Sequence, residues 1–211
     1  MNIEQYLKEF ENEVCDCQKA HVFTVSHICI EKGAIEKLPE FIIDFKAKKP
    51  FILADKNTFE AAGKKVCEIL ENASISYKKY VFSTGDIEPD EKAVGSAIMH
   101  FDNTCDLVIA VGSGVINDIG KILANTAKLP YFIVCTAPSM DGYASASSSM
   151  SMDGLKVSLA SKCADVIIGD IEVLKNAPLQ QIENNGGRYV FITNNASKSV
   201  SITWQNCTVL A

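Results

Sequence analysis

The sequence is short of the features that mark a nucleic-acid binder, a membrane protein or a zinc-held domain. Basic residues are outnumbered, 20 Lys and Arg against 26 Asp and Glu, giving a formal net charge of −6. A chain that grips phosphate backbones needs the opposite balance. No apolar run approaches the roughly 20 residues that cross a bilayer. The opening MNIEQYLKEFENE is charged and amphipathic, without the apolar stretch or cleavage site of a leader peptide. Histidine is scarce: His21, His27 and His100 are the only ones, and none stands at zinc-binding spacing from another. No internal repeat is visible. The reading is a cytoplasmic globule that handles small molecules and binds neither nucleic acid nor membrane. Net charge does not restrict its substrates, because a local pocket can be positive on an acidic protein.

What is present is an ordinary globular composition over 211 residues, 47% hydrophobic and 22% charged. A chain of this length buries roughly 70% of the surface its unfolded form exposes, so a packed core is expected. Eight cysteines stand at positions 15, 17, 29, 67, 105, 135, 163 and 207, mostly singly inside apolar runs. That pattern reads as buried, reduced thiols rather than a disulfide framework. Cys15 and Cys17 are the one close pair, and no second pair or histidine cluster accompanies them.

Hydrophobic periodicity alternates between strand and helix. Helices are predicted over residues 1–13, 32–45, 58–71 and 90–101, and from the glycines at 112–114 to about residue 127. Strands are predicted around 22–30 and over 51–54, 77–82, 107–111 and 131–135. LVIAV and YFIVC are continuous apolar runs, the mark of strands buried on both faces of a parallel sheet. The order implies an α/β fold, Rossmann-like, with helices on both faces of a parallel sheet and right-handed crossovers. Residues 136–160 then change character, with many serines and two Asp-Gly pairs. Such a stretch is either a flexible linker or a ligand-binding loop plus hairpin. Its position directly after a buried strand, and Asp153-Gly154 between two strand-like runs, favour the second.

In open α/β sheets, ligands settle outside the carboxyl ends of the strands. Three features line up there. Asp55 ends a strand, where a carboxylate either accepts the hydroxyls of an adenosine ribose or simply favours a helix N-terminus. LVIAVGSGVINDIGK is a strand, a Gly-Ser-Gly turn and a helix, which lets backbone N–H groups approach a pyrophosphate. CTAPSMDG offers hydroxyls and a carboxylate after a buried strand, suited to gripping a polyol or a ribose. Asp141 there is either a ligand or a turn residue ahead of Gly142.

Together, AVGSGVINDIGK, PYFIVCTAPSMDGYAS and DVIIGDIEVLKNAP resemble the sn-glycerol-1-phosphate dehydrogenases, within the iron-containing alcohol dehydrogenase and dehydroquinate synthase superfamily. The resemblance covers residues 20–178. It implies NAD- or NADP-dependent interconversion of dihydroxyacetone phosphate and sn-glycerol 1-phosphate, assisted by a divalent metal, zinc or nickel, acting as a Lewis acid. It further implies that Asp55 takes the adenosine ribose, and that Gly114, Val115, Ile116, Asn117 and Asp118, in a loop beginning at Gly112, take the pyrophosphate. Thr136 and Ser139 would line the nicotinamide side, Ser145 would also touch the cofactor, and Asp141 would hydrogen-bond the substrate. An acid at Asp55 favours NAD over the 2′-phosphate of NADP.

After LKNAP, members of that family continue into a glycine-rich run carrying the first metal ligand, and then a helical domain with two metal-binding histidines. Here the chain reads LQQIENNGGRYVFITNNASKS, and no metal ligand or catalytic residue is carried over. This tail resembles a motif of the haloacid-dehalogenase-type phosphatases, with Thr193 ending a strand. The expected organisation is therefore a nucleotide-binding domain over 1–178 and a divergent tail over 179–211, a fusion or deletion joined near 170–182. The helical metal domain is expected to be missing and the chain inactive by itself. A cleft left without that domain would expose apolar surface and promote self-association into a homo-oligomer.

Overall fold

Four segments are buried at every position: β2 (Pro50–Asp55), β4 (Leu107–Gly112), β5 (Tyr131–Cys135) and β8 (Val166–Asp170). Continuous apolar sequence is what a strand needs when both its faces are covered. They form the centre of a six-stranded parallel sheet in a computed structural model that describes residues 24–138, 142–178, 190–192 and 201–203. β3 (Lys78–Phe82) and β1 (His27–Glu31) are less buried and form the two edges, in the order β3-β2-β4-β5-β8-β1.

Side chains alternate across the sheet with the two-residue period of a strand. Phe51, Leu53, Val108, Ala110 and Ile133 face a layer containing α4 (Glu91–His100) and α5 (Gly114–Ala127). Ile52, Ala54, Ile109, Val111 and Val134 face the opposite layer. There the cover is a 3-10 turn (Ala34–Lys37), α1 (Leu38–Asp44) and α3 (Lys64–Asn72). The α/β sheet with helices on both faces is thus the architecture anticipated from the apolar runs.

Two helices differ from their sequence boundaries. The single helix expected over 32–45 is divided, because Gly33 turns with φ 77° and Pro39 has no N–H to continue an α-helical ladder from residue 34. The helix expected from residue 58 begins at Lys56, since Asp55 caps it. α2 (Lys56–Thr58) passes through a π turn (Phe59–Gly63) into α3.

The Asp153-Gly154 hairpin forms as expected, with β6 (Ser147–Met152) pairing antiparallel to β7 (Leu155–Ala160). Both turn residues have positive φ, 50° and 77°, the type I′ geometry that fits strand twist. The hairpin is fastened to the start of α4 and the residues just before it. Ser151 N–H donates to Pro89 O at 2.8 Å, and Asp153 N–H to Glu91 Oε1 at 2.7 Å. After β8 comes the short α6 (Ile171–Leu174). β9 (Val190–Ile192) and β10 (Ser201–Thr203) pair antiparallel, apart from the main sheet. The helix expected over 1–13, Cys15, Cys17, His21, Ser139, Asp141 and Thr193 lie outside the described residues. No described helix is long and apolar enough to cross a membrane.

Strand order reverses at one place. From β2 the chain moves outward to β3, then returns to the other side of β2 with β4 and continues through β5 and β8. The crevice between the carboxyl ends of β2 and β4 is where such sheets take ligands.

Candidate functional site

The buried polar residues are concentrated at that edge. Asp55, Thr58, Asn117, Asp118, Lys121, Thr136 and Asp170 lie at strand ends or on the helices that follow them. Polar groups inside a fold are informative because each must be matched by a partner.

Asp55 ends β2 and caps α2. Its Oδ1 accepts the N–H groups of Asn57 at 2.7 Å and Thr58 at 2.9 Å, and its own N–H donates to Thr58 Oγ1 at 3.1 Å. The cap role is therefore real, and it uses one carboxylate oxygen while the residue also walls a crevice of about 600 Å³. Ser113, Val115, Thr136, Lys65 and Asp170 share that wall. Thr136, expected on the nicotinamide side, walls the same crevice as Asp55.

α5 starts at Gly114, and Ser113 provides no side-chain cap. The first intrahelical pairing is Asn117 N–H to Ser113 O at 2.9 Å. The N–H groups of Gly114, Val115 and Ile116 come before any carbonyl that a helix could offer them, at the positive end of the helix dipole. Gly112 has a different reason to be glycine. A Cβ there would lie 2.5 Å from Ile116 Cβ, so the absent side chain lets α5 begin close against the end of β4.

A second cavity of about 600 Å³ lies on the other side of this helix end. Gly114, Val115 and Asp118 form its floor, Ile87–Pro89 one side, and the hairpin residues Ser149 and Lys156 part of its roof. Ile87 and Val115 wall both cavities, so the two meet at the start of α5.

Other expected site residues are directed elsewhere. Ile116 packs into the core, and the Asn117 side chain is internal: Nδ2 donates to Gly142 O at 3.1 Å and Oδ1 accepts from Tyr131 OH at 3.1 Å. Ser145 turns to the hairpin's start, its Oγ accepting Ser147 N–H at 3.1 Å. Burial holds the Tyr131 phenol protonated, with the Asp118 charge as the second cause. Burial likewise pushes the Tyr143 phenol and the Cys135 thiol well up.

Sequence reasoning missed Lys121, Tyr143 and Asp170. Tyr143 OH donates to Ala137 O at 2.9 Å, pinning the loop after β5. Asp170 ends β8 as Asp55 ends β2. Its Oδ1 accepts Gly33 N–H at 3.1 Å and Glu172 N–H at 3.0 Å, and Lys65 Nζ stands 3.8 Å from Oδ2. A lysine on the buried face of α5, and a second strand ending in aspartate, were the available signals.

Among the described residues no group of three or more His, Cys, Asp or Glu could hold a metal ion. His27 lies against Phe41, the rings tilted by 33°, and His100 stacks on Tyr80 at the end of α4. These residues do not fit a divalent-metal site.

The family model for iron-containing alcohol dehydrogenases matches residues 29–178. The chain is 30% identical over 179 residues to glycerol-1-phosphate dehydrogenase (NAD(P)+) of Geobacillus thermodenitrificans, covering 82% of this chain and 44% of that one. It is 31% identical over 172 residues to the same enzyme of Bacillus licheniformis, covering 80% and 43%. Among solved structures, glycerol dehydrogenase from Schizosaccharomyces pombe superposes with a TM-score of 0.69 at 21% identity, over 78% of this chain and 42% of that one. The chain thus spans less than half the length of the curated relatives it matches. The match ends at residue 178, and the tail's resemblance to a phosphatase motif receives no support. The strand order, the turn into α5 and the matched span together make this chain a member of the iron-containing alcohol dehydrogenase family.

Proposed function

We propose that this chain binds a nicotinamide dinucleotide along the carboxyl edge of its sheet, as the nucleotide-binding part of a glycerol-1-phosphate dehydrogenase. The observation that carries the reading is the pair of cavities, about 600 Å³ each, that meet at the N-terminus of α5. An extended ligand with an anionic middle and two uncharged, hydroxyl-bearing ends matches that shape. Its pyrophosphate would lie on the N–H groups of Gly114 and Val115. The adenosine ribose would use the second oxygen of Asp55, and the nicotinamide end would extend under the hairpin past Asp118. Ser139 and Asp141 belong to the same proposal through the loop that bears them. When bound, the dinucleotide supplies hydride transfer, here to or from the carbinol carbon of a phosphorylated triol.

Charge around the crevice favours NAD over NADP. Asp55, Asp170 and Glu172 wall it against Lys65 as the sole cation among its wall residues. Lys175, hydrogen-bonded to Glu172, holds that carboxyl below its usual range and so keeps it ionised. A 2′-phosphate would meet the Asp55 and Asp170 carboxylates there, Glu172 being paired with Lys175 and Lys32.

The substrate proposal, dihydroxyacetone phosphate and sn-glycerol 1-phosphate, rests on the names of the relatives. The resemblance implies a metal-assisted reaction, and among the described residues no cluster could hold the metal. The tail over 179–211 forms, in this proposal, a segment distinct from the nucleotide-binding unit. The test is calorimetry and thermal melting with NADH. The wild-type chain is expected to bind and to melt higher, and Gly114→Val is expected to lose both effects by filling the phosphate approach. Equal melting shifts in the two proteins would refute the loop assignment. Oxidation of NADH by dihydroxyacetone phosphate is expected to be undetectable for the chain alone, with or without added zinc or nickel.

A further inference from the structure

Lys121 is fully buried in the second turn of α5, where an amphipathic helix ordinarily carries an apolar residue. A buried ammonium persists only when its donors are matched and its charge is compensated. Here Nζ donates to Gly142 O at 2.7 Å and to Ser147 O at 2.9 Å, and Asp118 Oδ1 lies 3.7 Å away. The two carbonyls are the two ends of one loop. Between them lie Tyr143 and Ser145, and directly before them the residues leading from β5. Asn117, one turn earlier, donates to the same Gly142 carbonyl at 3.1 Å. One helix therefore carries the free N–H groups at its tip and, a turn below, the clamp that holds the loop beside them.

We propose that Lys121 is a positioning residue for the dinucleotide: it fixes the 142–147 loop at both ends against α5, so that loop and helix tip form one rigid receptor. The inference rests on the dinucleotide reading above. A flexible loop would have to be ordered on binding, at a cost in affinity that a preformed clamp removes. The ammonium donates to two carbonyls while its charge is compensated by the Asp118 carboxylate 3.7 Å away, which neither a thioether nor a shorter amide can do.

The experiment compares Lys121→Met with Leu123→Ala, a core truncation one half-turn on that touches neither cavity. NADH affinity is measured by calorimetry, and amide hydrogen exchange is followed in both proteins without ligand. Lys121→Met, which removes both Nζ bonds to the loop, is expected to weaken NADH binding on the order of tenfold. It is also expected to speed exchange across 142–147. Leu123→Ala is expected to lower the melting temperature while keeping wild-type affinity and loop protection. Equal affinity losses in the two variants would overturn the proposal and leave Lys121 a structural residue. A wild-type measurement covers the case in which Lys121→Met does not fold: NADH should slow exchange in the first turn of α5 and in 142–147 with the same concentration dependence. Protection of the helix alone would overturn the proposal while leaving dinucleotide binding intact. Absence of any NADH binding by the wild type would overturn both.

Discussion

The two ends of the sheet treat their polar groups differently. At the amino edge, ahead of β4, the Asp102 and Asp106 carboxylates are matched within the protein. Asp106 accepts the N–H groups of Lys48 at 2.8 Å and Lys49 at 2.9 Å, and Asp102 accepts the Lys49 ammonium at 3.0 Å and the Thr104 hydroxyl at 2.6 Å. At the carboxyl edge the accounts stay open. α5 starts without a side-chain cap, and buried Asp170 Oδ2 has no hydrogen-bond partner among the described residues. Two cavities lie over these groups. An edge that satisfies itself is holding strands together, whereas one that leaves donors and acceptors over is shaped for something that arrives later. Substitutions at the amino edge should change stability alone, and those at the carboxyl edge should change dinucleotide affinity as well.

The largest effect is expected at Gly112. A methyl group there would sit 2.5 Å from Ile116 Cβ, an atom fixed by the helix backbone, so relief requires α5 to move. Overpacking of this kind costs about 1–3 kcal/mol. Gly112→Ala should lower the urea midpoint accordingly and, because the displaced part is the helix tip, should also abolish the melting shift given by NADH. A destabilised variant that still binds NADH normally would break the contrast between the edges.

Asp55→Ala ranks next. It removes an N-cap that serves two N–H groups, a loss of about 1 kcal/mol. If the second carboxylate oxygen meets a ribose, affinity must fall further than the lost cap explains. Asp55→Asn separates the two roles, since it keeps an oxygen for the cap while replacing the one left for a ligand with an NH2 donor. Calorimetry is expected to show weaker NADH binding in Asp55→Asn at nearly unchanged stability. Unchanged binding in both variants would confine Asp55 to its cap.

Much of this contrast was legible in the sequence because parallel strands buried on both faces cannot hide: LVIAVG and YFIVC read as β4 and β5 with boundaries nearly as observed. The Gly-Ser-Gly turn and Asp55 could be placed at the carboxyl edge for the same reason. The reach of individual side chains could not. Asn117 and Asp118 are neighbours in sequence, yet a helix turns successive residues by about 100°. One side chain is therefore internal and bonded to Gly142, while the other walls a cavity. Thr136 follows β5 directly, its N–H donating to Gly112 O at 3.1 Å, and only the fold shows that it walls the crevice that Asp55 also walls. Lys121 escaped notice because a lysine is by default a surface residue, and only the fold brings two carbonyls from 21 and 26 residues downstream to its tip.

The smallest effect belongs to Asp102, and it tests the amino edge by pH. The Thr104 hydroxyl and N–H, with the Lys49 ammonium after them, hold the Asp102 carboxyl well below the usual carboxylate range. A group whose folded pKa is depressed stabilises the fold above its unfolded value of about 3.9, and that contribution disappears as pH falls through the folded value. Asp102→Asn should therefore lie below wild type in urea midpoint at about pH 6 and draw closer to it at about pH 3, where the unfolded chain takes up the proton that the folded carboxylate still resists. The side chain is solvent-accessible, so the gap at neutral pH should be small and should shrink further in high salt. NADH affinity should be the same in both proteins at neutral pH. A gap independent of pH would show that the carboxylate's charge contributes nothing at this edge. A loss of NADH binding would mean that the amino edge, too, communicates with the ligand, and the division between a self-satisfied end of the sheet and a receptive one would no longer hold.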